Sequence, residues 1–111
     1  MTRKLMPVLD IHVHMGRRHH LTPWVLAFLA GHIGQGALQT LEGITPADFE
    51  AFIKIEGVDR AVLLAEYSPK TTGVVPNEFT AGFCQGSDVL IPFGSVNLED
   101  EVDAGTQVER C

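Results

Sequence analysis

Residues 45–67, TPADFEAFIKIEGVDRAVLLAEY, pass from a helix with marked ends into an unbroken apolar run, and this junction restricts the fold more than any other stretch. Thr45 stands where a cap belongs, Pro46 at the first helical position, and Asp48 three residues after the cap, the spacing of a capping box. Phe49, Phe52 and Ile53, with Ile55 at the margin, fall on one helical stripe, and Gly57 supplies the stop. The run from 58 to 67 has a continuous apolar centre, which suits a strand covered on both faces, as in a parallel sheet. Parallel strands need crossover connections, so a segment of this kind implies others like it.

The rest of the chain supplies them. Residues 6–14 alternate, with Val8, Asp10, His12 and His14 on one face of a strand and Leu9, Ile11 and Val13 on the other. A long connection over 15–44 follows. Inside it TPWVLAFLAG reads as a short helix capped by Thr22, opened by Pro23 and ended by Gly31. VPNEFTAGFCQG (75–86) is a second capped helix, with Phe79 and Phe83 four apart. DVLIPFGSVNL (88–98) is a further apolar strand, interrupted by Pro92 and Gly94, and 99–111 begins a third helix with acids in its first turn. Strand and helix alternate three times, which predicts an α/β fold with parallel strands and right-handed crossovers. No repeat, low-complexity tract or linker divides residues 1–111, so a single domain is expected.

Composition narrows the function classes. The formal net charge is −6, and no basic cluster exceeds Arg17-Arg18, so a broad nucleic-acid surface is not expected. A small anionic substrate held by one or two arginines remains open. Two cysteines, Cys84 and Cys111, make no disulfide framework and no Cys-x-x-Cys spacing, which fits a reducing, cytoplasmic setting. The basic start MTRKLMPVLD is broken by Pro7 and Asp10 and fails as a signal peptide. WVLAFLA is far short of the ~20 residues that span a bilayer.

Four of the five histidines lie within residues 12–20. Residues two apart on a strand point the same way, with Cα atoms roughly 6.6 Å apart. Two imidazoles at that spacing can converge on one ion, so His12 and His14 suit a shared divalent metal, zinc before others. Asp10 on the same face can act as a third ligand, or accept a hydrogen bond that fixes a histidine tautomer. A surface pair of histidines has the same pattern. What raises the metal reading is the apolar lead-in and Gly16 just after, which put the pair at the C-terminal end of a strand, where α/β folds bind ligands.

VLDIHVHMG resembles the first-strand motif Asp-x-His-x-His of the amidohydrolase superfamily, in its amidohydrolase-related branch of metal-dependent TIM-barrel enzymes. GVDRAVLLAEY resembles the second strand of that branch, and VPNEFTAGFCQGSDVLIPFGSVNLED its Asn-Glu helix and third strand. The similarity covers most of the chain except the loop at 15–44. It implies the first three βα units of a (β/α)8 barrel, not closed within this chain, because such a barrel takes eight units and ~250 residues. It also implies a hydrolase in which water activated by the ion attacks a carbonyl or lactone carbon. Decarboxylases and lyases of the same branch share the metal cradle, and a non-catalytic βα fragment is the third alternative. Phosphoesterase and TatD-like nuclease barrels also begin with His-x-His, but fit GVDRAVLL and PFGSVN less well. The remaining ligands of the family lie on later strands, so the chain alone is expected to bind metal weakly, to lack turnover and to self-associate. The surfaces expected to do so are exposed strand edges or residues 22–30.

Several residues have weaker claims. Arg17, in the loop after the first strand, can orient a small substrate carboxylate. Glu66 and Ser68 close the second strand and Asn97 the third, so each is a candidate for substrate contact near the mouth. His19 and His20 read as solvated loop residues, and His32, among glycines, as no ligand. Trp24, Phe28 and Leu29 read as core. Thr71-Thr72-Gly73 is too short for a phosphate cradle, and Cys84 reads as a packing residue.

Overall fold

The computed structural model describes residues 6–98 and 102–111. Among these residues, five strands and five α-helices follow one another as β1 (Leu9–Val13), α1 (Pro23–Ile33), α2 (Gln35–Thr40), α3 (Pro46–Ile55), β2 (Arg60–Leu64), β3 (Glu66–Ser68), β4 (Gly73–Val75), α4 (Asn77–Cys84), β5 (Leu90–Phe93) and α5 (Ala104–Arg110). A 3-10 turn, Arg18–His20, lies between β1 and α1. β1, β2 and β5 form a parallel sheet in that spatial order, and β3 and β4 pair as a separate antiparallel hairpin.

The α3–β2 junction takes the form its sequence dictates. Asp48 N–H donates to Thr45 Oγ1 at 3.1 Å and Thr45 N–H donates back to Asp48 Oδ2 at 3.0 Å, closing the box. Those bonds hold the Asp48 carboxyl below the usual carboxylate range, its main-chain bond to Thr45 contributing most. Gly57 follows the helix at a φ of 82°, a conformation only glycine takes without strain. The stripe is narrower than expected. Ile53 is buried and Phe49 half-buried, but Phe52 and Ile55 face solvent, because only one side of α3 meets the sheet.

β2 is the central strand, and Ala61, Val62 and Leu63 are all buried, as a run without polar interruptions requires. On the helix side, Ala61, Leu63 and Leu90 meet Met15, Ile53, Phe83 and Cys84. Phe83 is the hub: its ring stands edge-on to Phe49 at 5.9 Å and stacks with Phe79 at 5.8 Å. Burial pushes the Cys84 thiol upward, in keeping with a packing role.

Residues 15–44 depart from the sequence reading. α1 runs through Gly31 to Ile33 and stops at Gly34, whose φ is 87°. Thr22 precedes it without capping it. Its hydroxyl donates instead to the Thr71 carbonyl at 2.6 Å, tying α1 to the hairpin loop. α2 occupies a stretch that carries no helix signal of its own, and α1 buries no residue fully: Trp24 and Phe28 are exposed rather than in a core. The third helix begins at Ala104 behind an Asp103 cap, and the acids expected in its first turn, 99–101, lie outside the described residues. So do residues 1–5 of the basic start.

The protein is elongated, 54 × 37 × 20 Å, with a radius of gyration of 15.6 Å. A closely packed chain of this length has about 13 Å. The difference is visible in β1, whose Leu9 and Ile11 are exposed. Among the described residues no helix is long and apolar enough to cross a membrane.

Candidate metal centre

β1 does not keep the simple alternation its sequence suggests. Asp10 stands opposite Ala61 and Val13 opposite Leu63, so three steps along β1 match two along β2. The extra residue is a bulge through Ile11 and His12, a device that re-aims side chains at the rim of a sheet. Its local cause is Asp10. The His12 N–H donates to Asp10 Oδ1 at 3.0 Å, and a side chain that takes an amide two residues ahead competes with the strand ladder.

Beyond the bulge the two histidines converge. His12 Nε2 and His14 Nε2 lie 3.0 Å apart, with ring planes inclined at 66°. Imidazole nitrogens bonded at ~2.0–2.1 Å to one ion stand roughly 2.9 Å apart at a right angle and roughly 3.3 Å apart at the tetrahedral angle. The observed separation falls between these, so the donor set and bite fit a divalent ion. Without an ion the same contact is a hydrogen bond from one ring to the other. Asp10 Oδ1 is engaged by the main chain beside His12, and among the described residues no three His, Cys, Asp or Glu side chains group closely enough to hold a metal. The pair therefore offers two corners of a coordination shell.

One cleft adjoins the pair, and a second shares Glu66 with the first. One, of about 210 Å³, is lined by His14 and Glu66 with an apolar wall that includes Met15 and Val75. The other, of about 220 Å³, brings Glu66, which opens β3 of the hairpin rather than closing β2, together with Ser95 and Asn97 just after β5. Glu66 thus belongs to both, and its carboxylate accepts the Thr72 hydroxyl from across the hairpin. The Asn97 main chain is bonded twice by the Gln107 side chain of α5, each at 2.7 Å. Asn77, at the start of α4, grips the Ser95 peptide in the same way, accepting from its N–H at 2.7 Å and donating to its carbonyl at 2.9 Å. Ser68 lines a third hollow with Asn97, away from the histidines.

Arg17 does not join the pair. Its guanidinium lies over the rings of Phe79 and Phe83, 5.5 and 5.7 Å from their centroids, and donates to the Leu41 carbonyl. It packs the loop against α4 rather than facing the His12–His14 pair. His20 is a larger departure from expectation: it is 8% exposed, not solvated. Its Nδ1 accepts the Arg17 N–H at 2.8 Å, and its ring stands edge-on to Phe79 at 4.7 Å. His19 stays exposed, and His32 is an exposed residue of α1 whose Nδ1 meets the Phe28 carbonyl at 2.7 Å. No local signal separated His20 from His19. The distinction comes from Gly73, whose missing side chain lets the hairpin press against the His20 main chain.

Burial, then the nearby His19 and Arg17, push the His20 pKa down, while Glu42 opposes them. Protonation would also turn Nδ1 from an acceptor into a donor facing the Arg17 donor. A depressed folded-state value means that the unfolded chain binds the proton first. The contribution of His20 to stability is therefore intact above the ordinary histidine value of about 6.5 and declines as pH falls through the lower folded value. The Thr22 N–H, bonded to the Thr72 carbonyl at 3.0 Å, should lose exchange protection as pH drops from roughly 7 to 5, after correction for intrinsic rates. The Ala61 N–H, in the sheet core, should keep it. Equal behaviour of the two amides would contradict the account.

Comparison with protein-family models, with curated proteins and with solved structures finds no match to this chain.

Proposed function

We propose that the chain carries part of a metal-dependent hydrolase site of the amidohydrolase-related type, in which His12 and His14 hold one divalent ion, zinc first among candidates. The observation that carries this reading is the 3.0 Å approach of the two Nε2 atoms at the C-terminal end of a parallel strand. The spatial order β1-β2-β5, with helices between successive strands, supports reading these elements as the first βα units of a (β/α)8 barrel.

A bound divalent ion there supplies a Lewis acid and water of lowered pKa, the two requirements for opening a carbonyl or lactone carbon. The residues of the chain prepare the place. His12 and His14 present their Nε2 atoms at the bite of one ion. Asp10 serves as a positioning residue, fixing the bulge that turns His12 toward His14. Glu66, held by Thr72, lines the cleft that His14 shares.

Zinc titration of the zinc-free protein by calorimetry tests the reading. One equivalent should bind, and the His12→Ala/His14→Ala variant should lose that isotherm altogether. Asp10→Asn, which keeps an acceptor for the His12 amide, should bind nearly as the parent does. Asp10→Ala should weaken binding by about tenfold or more, the usual loss when a ligand's support is removed. Equal zinc uptake by parent and double variant would overturn the assignment.

A further inference from the structure

The cleft beside His14 is walled by Met15, Leu21, Leu29, Leu41 and Val75. These come from the connection after β1, α1, the turn after α2, and β4, so four separate segments converge on one apolar hollow. Met15 and Val75 are buried and the three leucines half-buried, which leaves apolar surface facing an open space of about 210 Å³. A cavity of roughly 150 Å³ with aliphatic walls is enough to hold benzene. The walls are also anchored: Leu21 bridges to Gly73 and Thr22 bonds to the hairpin loop, so Leu21 is fixed against the strand that carries Val75.

Among the described residues that line this space, His14 and Glu66 are the two with polar side chains. His14 presents its ring, whose Nε2 is 3.0 Å from that of His12. Glu66 carries a carboxylate that accepts the Thr72 hydroxyl. A fixed carboxylate beside an apolar wall repels a second anion, and the wall offers that anion no hydrogen bond in compensation.

We infer that this cleft is the pocket for the non-reacting arm of the substrate, and that the arm is an uncharged hydrocarbon group of about benzene size, aryl or branched alkyl. The inference rests on the metal-site reading and adds to it the substrate class: a carbonyl compound whose reacting end meets the ion at His12 and His14 while its apolar arm fills the cleft. Glu66 is the specificity-determining residue, selecting against arms that bear a carboxylate. Any anionic character of the substrate then belongs at the reacting end.

Phenol and benzoate, one ring without and with a negative charge, are the probes, titrated into the zinc-free protein and followed by amide chemical shifts. Phenol should bind saturably with shifts at Met15, Leu29 and Val75, at least about tenfold more tightly than benzoate. Glu66→Gln should bring the two within about threefold of each other. Leu29→Trp, on a helix with no fully buried residue, should fill the cleft and weaken phenol at least about tenfold. Its zinc isotherm should match the parent's, which shows that the variant is folded. Phenol that does not saturate, benzoate that binds equally well, or phenol binding undiminished by Leu29→Trp overturns the inference while leaving a zinc site intact. Phenol binding by a protein that takes up no zinc overturns the metal-site reading and, with it, the assignment of the cleft to a substrate.

Discussion

Gly73→Ala should destabilise the protein by about 3 kcal/mol or more, read as a shift in urea midpoint. A methyl group at that position would overlap the His20 carbonyl oxygen and stand 2.9 Å from the Leu21 Cα, with φ at 142°. Both neighbours are backbone, so neither can rotate away, and the substitution must part the hairpin from the loop after β1. That loop carries Arg17 and His20 against α4 and forms one wall of the cleft beside His14. Loss of Thr22 amide protection should therefore accompany the loss of stability. Gly31→Ala is the control, since nothing lies within 4 Å of a Cβ there and the residue is inside α1. It should be neutral or stabilising by up to about 1 kcal/mol. A Gly73→Ala protein as stable as the parent would refute the close approach.

Leu63→Ala should cost about 2–5 kcal/mol, with the urea slope preserved. Leu63 is 2% exposed at the centre of the middle strand, in the cluster with Ile53, Phe83 and Leu90. Truncation removes apolar contact on the helix side of the sheet, and α3 and α4 are held too firmly by their aromatic contacts to close the gap completely. Ile11→Ala makes the comparison sharp. Ile11 is also a branched aliphatic residue within a strand, yet it is 67% exposed on β1. Its truncation should change stability by no more than about 0.5 kcal/mol. Equal losses at the two positions would mean that β1 is covered in solution.

The contrast between Leu63 and Ile11 marks where sequence reasoning stops. Both lie in well-formed strand patterns, and periodicity alone does not tell how far each is covered. What separates them is position in the sheet: β2 has neighbours on both sides, and β1 has one. The candidate metal pair shows the same limit from the other direction. His12 and His14 do converge, but not through simple alternation, because the Asp10 carboxylate takes the His12 amide and inserts a bulge. Arg17 and His20, one and four residues beyond Gly16, carried no mark of their fate. Their surroundings are supplied by Phe79, Phe83 and Gly73, more than fifty residues away in sequence.

The sequence by itself determined the α/β class, the parallel β2 and its relation to α3, and the Thr45–Asp48 cap, since each rests on bonds or burial patterns within a few residues. It also placed His12 and His14 two apart at the end of β1. Tertiary structure alone decided that Arg17 packs on aromatic rings, that His20 is buried, and that Glu66 and His14 share one apolar cleft. Those outcomes depend on contacts between distant segments, whose free energy is set by shape and solvent exclusion and leaves no local periodicity to read.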